Sequence, residues 1–93
     1  MNLKSIPLKR HWLDSIIEIH TFHINQLKDD SGWTLKDSAK ELNRSIGSIS
    51  EALLVVSFLI THEKQIKRCR SMREALEYVR SLEKQMRLRA VNG

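Results

Sequence analysis

Apolar residues recur every three to four positions along most of the chain, and no stretch keeps the strict alternation of a half-buried β-strand. This period predicts helices at about residues 9–27, 35–42, 46–60 and 72–89, with a further helical turn at about 63–67. The pattern therefore predicts an all-α fold, a bundle of four to five helices in a single domain that spans residues 1–93.

The third predicted helix carries the most strongly apolar segment. Its inner stripe is predicted to consist of Ile46, Ile49, Leu53 and Val56, which are spaced three to four residues apart. Residues 53–60 are almost entirely apolar, so they are expected to be the most buried stretch of the chain.

Capping residues mark the ends of the second and third predicted helices. Thr34 precedes the second helix, and Asp37 follows three residues later in a weaker form of the capping box. Asn43 ends that helix, and asparagine tolerates the left-handed backbone conformation that terminates helices. Ser45 is placed to cap the third helix. The two helices are therefore predicted to be joined by only three residues, Asn43, Arg44 and Ser45.

Two helices with so short a connection are typical of a helix-turn-helix. Ala39 is small where the following helix would cross it, and Leu42 and Ile49 are apolar, as residues that fill the crossing must be. We therefore predict a helix-turn-helix over about residues 34–59. An ordinary helical hairpin would show the same amphipathic pattern, and that alternative stays open.

The third helix begins with unusually small side chains. A helix that reads base edges in the major groove must bring its first turn close to them, and large side chains would hold it away. Gly47 has no side chain, and a glycine inside a helix costs ~1 kcal/mol relative to alanine, so it needs a reason. The alternative reason is a tight crossing between helices. The residues predicted to approach DNA bases are Ser45, Ile46, Gly47, Ser48 and Ser50.

Positive charge is concentrated in the last third of the chain, whose net charge as a whole is +5. Residues 64–93 hold nine Lys or Arg against three Asp or Glu, a net +6. Such a segment attracts a polyanion, nucleic acid first, or simply keeps a helix face solvated. The basic C-terminal helix, at about residues 72–89, starts after Ser71, and Glu74 gives it the spacing of a capping box.

Basic side chains near the predicted helix-turn-helix and in the C-terminal segment are candidates for contacts to DNA phosphates. For the C-terminal members, surface solvation is an equal alternative. Glu51 could accept a hydrogen bond from cytosine, but pairing with a Lys or Arg is the favoured interpretation. The candidate backbone contacts are Lys36, Lys40, Arg44, Lys64, Lys67, Arg68, Arg70 and Arg73.

The stretch GWTLKDSAKELNRSIGSISEALLVVSFL resembles the helix-turn-helix of ParB/KorB-type DNA-binding proteins and of related small phage and plasmid proteins. Residues 34–42 match the supporting helix and residues 45–54 the recognition helix. The resemblance implies sequence-specific binding to duplex DNA. It departs at Arg44, where an apolar turn residue is usual, and at Glu51, where a base-reading donor is common. The nucleotide-binding domain of full ParB proteins has no counterpart here, so nucleotide-dependent clamping is not expected.

Other chemistry is weakly represented in the sequence. His20, His23, His62 and Cys69 do not follow a standard zinc-binding pattern, and no catalytic triad or glycine-rich phosphate loop stands out. We therefore expect no enzyme activity, no metal and no cofactor. No apolar run approaches the ~20 residues of a membrane span. A single cysteine cannot form an internal disulfide, which fits a reducing, cytoplasmic setting.

Self-association through the C-terminal helix, as a dimer or a higher oligomer, is expected from its apolar face. That face holds Met72, Leu76, Val79 and Met86, although the helix could instead fold back on the others. The favoured role is a small regulator or a partition or replication accessory protein. Three alternatives stay open: a phage DNA-packaging or replication adaptor that forms a higher oligomer, a protein-interaction or inhibitor module with the same fold, and an RNA-binding protein.

Overall fold

The computed structural model describes residues 11–92, and their side chains up to residue 89. All regular secondary structure in this range is helical, which confirms the predicted all-α class. The start of the first predicted helix, at about residue 9, lies outside the described residues. The five helices are α1 (Trp12–Asp29), α2 (Leu35–Leu42), α3 (Ile46–Leu59), α4 (Glu63–Arg68) and α5 (Met72–Asn92).

Local hydrogen bonds fix both ends of α2, as the sequence predicted. Thr34 Oγ1 accepts a hydrogen bond from the Asp37 backbone N–H at 3.1 Å, and Asp37 Oδ2 accepts one from the Thr34 N–H at 2.9 Å. Asn43 adopts the left-handed conformation, with φ 56° and ψ 49°. The Arg44 N–H then donates to the Ala39 carbonyl at 2.9 Å, which closes the helix end.

The start of α5 forms only half of its predicted capping box. Ser71 Oγ accepts a hydrogen bond from the Glu74 N–H at 3.3 Å, as expected. The Glu74 carboxylate, however, accepts from the Arg70 N–H at 3.3 Å. A capping box would have it accept from the Ser71 N–H. The carboxylate thus reaches one residue beyond the cap and satisfies a donor in the preceding turn.

Helix α3 is the centre of the fold, because it packs against each of the other four helices. Ile49, Ala52 and Val55 on α3 are fully buried. Ile66 of α4 and Val79 of α5 are fully buried against the same core. The complete set of buried apolar residues is Leu13, Ile16, Ile19, Ala39, Ile49, Ala52, Val55, Ile66, Ala75, Leu76 and Val79.

The expected burial along α3 was wrong at both ends. Ile46, assigned to the inner stripe, is 49% exposed, and Ile60 is 90% exposed. Between them, Leu53 and Val56 are only half-buried. The buried residues of α3 are Ile49, Ala52 and Val55, which lie in the middle of the helix.

A buried polar contact holds α2 against α1. Ser38 Oγ accepts a hydrogen bond from Trp33 Nε1–H at 2.7 Å, and His23 Nδ1 of α1 lies 2.7 Å from the same oxygen. Ser38 is fully buried and His23 is 5% exposed. The Trp33 ring also packs edge-on against Phe22 of α1, with ring centroids 6.2 Å apart. Trp33 therefore anchors the entry to α2 on α1.

Among the described residues, no single helix is both long enough and apolar enough to cross a membrane. Helices α2 and α3 meet that criterion only when taken together, as a pair bent by 108° at the break between them.

Candidate nucleic-acid interface

The turn between α2 and α3 produces an abrupt change of direction. The two helices are separated by three residues and bent by 108° at that point. Ala39 on α2 is 6% exposed and Ile49 on α3 is fully buried, so both small and large apolar residues at the crossing contribute to the core. The resulting arrangement is a helix pair whose second member begins at the surface and continues into the centre of the fold.

The first turn of α3 forms an exposed edge. Ser45, Ile46, Gly47 and Ser50 are all exposed there. Ser45 Oγ caps the helix by accepting a hydrogen bond from the Ser48 N–H at 3.0 Å. We call Ser45, Ile46, Gly47, Ser48 and Ser50 the leading edge of α3; Ile49, which stands among them in the sequence, is fully buried. The leading edge brings together all five residues that the sequence singled out as base-approaching.

Ser48 differs from the other members of the leading edge. It is half-buried and lines a small cleft with Ser15 of α1, Glu51 of α3 and Met72 of α5. Its side chain therefore lies on the flank of the leading edge, and it is less accessible than Ser50 to a ligand that approaches from outside.

Gly47 has open space around it. A Cβ atom added at this position would meet Ser45 Oγ at 3.9 Å, an ordinary van der Waals distance, and no other helix. The glycine φ angle is not positive. Neither a close helix crossing nor an unusual backbone conformation therefore explains why glycine stands here.

Three basic residues lie on α2 or in the turn that follows it: Lys36 near the start of α2, Lys40 in its last turn, and Arg44 between α2 and α3. Lys36, Lys40 and Arg44 are all exposed. Arg44 lines two surface clefts that it shares with Ser15 and Ile19, so it lies between the turn and α1. Arg44 is therefore placed at the side of the α2–α3 pair where α1 begins.

The start of α5 is also close to the leading edge, because Met72 lines the same cleft as Ser48 and Glu51. Arg70 and Arg73 flank Met72 in sequence and both are exposed. These two residues can thus extend a basic rim from the turn toward α5.

The basic residues of α4 are placed differently. Lys67 Nζ lies 2.7 Å from Glu63 Oε2, and this hydrogen bond lowers the pKa of the Glu63 carboxyl below its usual value. Lys67 therefore already has an anionic partner. Lys64 and Arg68 are exposed on the same short helix.

Glu51 pairs with a basic residue, as the sequence favoured. Its Oε2 lies 3.5 Å from Arg80 Nη2 of α5. The Arg80 side chain is 60% exposed and the Glu51 side chain 40%, so this pair adds at most ~1 kcal/mol to stability. It places a positive charge beside the carboxylate that follows the leading edge.

Two residues of this region were not singled out by the sequence analysis. Arg80 is one of them, because no local pattern connects it with a residue 29 positions earlier. Ser38 did carry a signal: it shares the helical face of Leu35, Ala39 and Leu42, where a polar residue is unexpected. A polar side chain in that position indicates a buried hydrogen bond.

The histidines and the cysteine have ordinary surroundings. In the part of the chain that the structure describes, no three His, Cys, Asp or Glu side chains are close enough together to hold a metal ion. His23 is committed to the contact with Ser38. Burial raises the pKa of the Cys69 thiol, so this group is protonated and of low reactivity at neutral pH.

The expected association face of α5 is largely used within the fold. Leu76 and Val79 are buried, and Met72 is half-buried in the cleft near Ser48. Leu76 and Val79 are therefore not available for association. Met86, at 58% exposure, is the one member of the predicted face that stays open.

Comparisons of the chain with protein families, with curated proteins and with solved structures found no match. The resemblance of residues 32–59 to ParB/KorB-type proteins stays a prediction from the sequence.

Proposed function

We propose that the chain binds duplex DNA sequence-specifically, with α2, the three-residue turn and α3 acting as a helix-turn-helix. In this proposal α3 enters the major groove with its leading edge toward the bases, while α2 lies across the phosphate backbone. Ile46 would contact a thymine methyl group, and Ser45 and Ser50 would form hydrogen bonds with base edges or phosphates.

The observation that carries the proposal is the exposed, unpacked glycine at the start of α3. Gly47 costs up to about 1 kcal/mol relative to alanine in a helix, and no neighbouring helix requires it. A surface that must approach another molecule closely supplies a reason for it. The bend of 108° between α2 and α3 supports the same proposal, since helix-turn-helix pairs meet at about 90–120°.

The distribution of charge is consistent with a polyanionic ligand. Lys36 and Lys40 lie on α2, Arg44 lies in the turn, and Arg70 and Arg73 stand next to Met72, where α5 approaches the leading edge. Phosphate contacts from such residues would fix the register of α3 in the groove without reading sequence. The Arg80 guanidinium, 3.5 Å from the Glu51 carboxylate, partly offsets the repulsion between that carboxylate and a phosphate.

The biological role follows from the resemblance alone. Small phage and plasmid proteins with this type of motif suggest a regulator, or a partition or replication accessory protein, that acts in the cytoplasm. The DNA target would be a site that the α3 helix of one chain, or the α3 helices of two chains, can read.

The test combines selection of bound duplexes from a random library with a matched pair of variants at one position. Gly47→Leu places a bulky side chain on the leading edge, whereas Gly47→Ala adds a single methyl group. A Cβ atom at this exposed position meets only Ser45 Oγ, at 3.9 Å, and both substitutions improve helix propensity, so neither should lower the melting temperature. We expect the wild type to prefer a selected duplex over a scrambled one by about 10³-fold or more.

Gly47→Leu should lose that preference and retain only salt-dependent binding to any duplex, while Gly47→Ala keeps most of it. Full specificity in Gly47→Leu would show that the leading edge does not read DNA. Binding to structured RNA with no binding to duplex DNA, even at low salt, would favour the RNA alternative. Absence of any nucleic-acid binding would favour a protein-interaction module.

A further inference from the structure

Helix α5 extends beyond the part of α3 that covers it. Its apolar stripe is fully buried at Val79, half-buried at Leu82 and 58% exposed at Met86. The 21 residues of α5 correspond to about 31 Å of helix, whereas the 14 residues of α3 correspond to about 21 Å. The second half of α5 therefore presents an apolar position that the fold itself leaves uncovered.

A cleft of about 270 Å³ marks this uncovered position, and it is lined by Phe58 of α3 and by Glu83, Met86 and Arg87 of α5. Phe58 and Met86 supply its apolar surface. Glu83 and Arg87 carry opposite charges one helical turn apart. Within the described residues, neither of them forms an ion pair.

This arrangement is complementary to itself. In a contact with two-fold symmetry, each residue of one copy meets the symmetry-related site on the other, so a carboxylate and a guanidinium on one face can pair twice. Consider two α5 helices that run antiparallel and are related by a two-fold axis at the level of Gln85. Glu83 of each copy then lies opposite Arg87 of the other. The two Met86 residues are then offset by only about 3 Å along the helix and meet beside the Phe58 rings.

We infer that a second copy of this chain occupies the cleft, and that the protein forms a two-fold dimer through the second half of α5. The contact has an apolar centre, Met86 and Phe58, and a charged rim, as protein interfaces commonly do. Among the other cations of this part of α5, Lys84 and Arg89 are rotated by about 100° and 120° from Glu83 around the helix, and Arg80, about 60° from Glu83, lies 3.5 Å from the Glu51 carboxylate. The interface is small, so the dimer dissociates on dilution.

Charge reversal at the rim provides the test, with the mass in solution as the readout and no DNA present. Sedimentation equilibrium over a concentration series should show the wild type rising from one chain of 10.9 kDa toward twice that mass. Glu83→Arg alone and Arg87→Glu alone should each stay at the mass of one chain, because their two-fold contacts bring like charges together.

A mixture of Glu83→Arg with Arg87→Glu should recover the doubled mass, since both rim contacts then join opposite charges. Lys84→Glu is the matched control: it changes charge off the contact face and should leave dimerisation unaltered. In the mixture each chain carries only one of the two substitutions. An ion pair between residues 83 and 87 within one helix therefore cannot explain a recovered doubled mass.

The inference is overturned if the wild type stays at the mass of one chain throughout, if it assembles beyond two chains, or if the mixture fails to associate. Gly47→Leu should dimerise as the wild type does, because its leading edge is on another part of the surface. The dimer and the proposed DNA binding can therefore fail independently.

Discussion

Ile46 and Ile49 stand three residues apart on α3, yet their surroundings differ completely. Ile46 is 49% exposed and Ile49 is fully buried. Helical periodicity places both on one stripe, because positions three apart are only about 60° apart around the helix. Periodicity does not say how far neighbouring helices cover each turn, and the start of α3 at Ile46 is covered less than the position of Ile49.

The other end of α3 repeats this lesson. Ile60 follows an almost unbroken apolar run and is 90% exposed. An apolar sequence therefore indicates that a residue can be buried, and the neighbouring elements decide whether it is. At the leading edge the exposed isoleucine sits beside exposed serines and a glycine, which is a composition suited to binding.

The largest expected effect is a difference in the free energy of unfolding between alanine variants of the two isoleucines. Ile49→Ala should lower the free energy of unfolding by about 2–5 kcal/mol, because it creates a cavity in the fully buried centre of the fold. Ile46→Ala should change it by no more than about 0.5 kcal/mol. Urea denaturation followed by circular dichroism measures both values. In the proposed function, only Ile46→Ala weakens specific DNA binding without loss of stability.

Equal destabilisation by the two alanine variants would show that the leading edge is packed in solution. That result would remove the main support for a binding surface at the leading edge of α3.

The next effect concerns the buried polar contact that holds α2 against α1. Ser38→Ala removes the oxygen that accepts from Trp33 Nε1–H and that lies 2.7 Å from His23 Nδ1. It leaves buried polar groups without a partner, so the free energy of unfolding should fall by about 1–3 kcal/mol. Trp33→Phe deletes the indole donor, and the double variant should cost less than the sum of the single ones. Strict additivity would mean that the two residues do not interact.

The sequence predicted the helical elements of this molecule better than its surfaces. Thr34, Asn43 and Ser45 act over one or two turns, so the local sequence determines their capping geometry. The contact between Glu51 and Arg80 joins residues 29 positions apart, and only the packing of α5 on α3 brings them together. For the same reason, the sequence alone does not show that Leu76 and Val79 are buried within the fold and not exposed on its surface.

A smaller effect is expected where the turn meets DNA. If Arg44 contacts a phosphate, Arg44→Ala should weaken binding to selected and scrambled duplexes alike. It should also make the slope of log K against log salt shallower by about 0.9. Arg89→Ala is the matched control, because it removes the same charge from the far end of α5. An unchanged slope for Arg44→Ala, or an equal change in Arg89→Ala, would remove Arg44 from the backbone contacts.

The smallest effect is a pH dependence that arises at the start of α2. Hydrogen bonds from the Thr34 backbone N–H and hydroxyl lower the pKa of Asp37 below its ordinary value of 3.8. Since the folded-state pKa is the lower one, this carboxylate stabilises the fold above pH 3.8 and ceases to do so as the pH falls through the folded-state value.

Glu63 behaves in the same direction through its contact with Lys67, so acid unfolding of the wild type combines both groups. The variants Asp37→Asn and Glu63→Gln separate them. Each should lose less stability than the wild type between pH 6 and pH 3, as measured by urea denaturation at each pH.

Asp37 belongs to the cap that orients α2 toward α3, whereas Glu63 lies on α4. Only Asp37→Asn should therefore also loosen the anchoring of α2, seen as faster hydrogen exchange of its first amides at neutral pH. Equal exchange in both variants would mean that the cap does not hold α2 in place for α3.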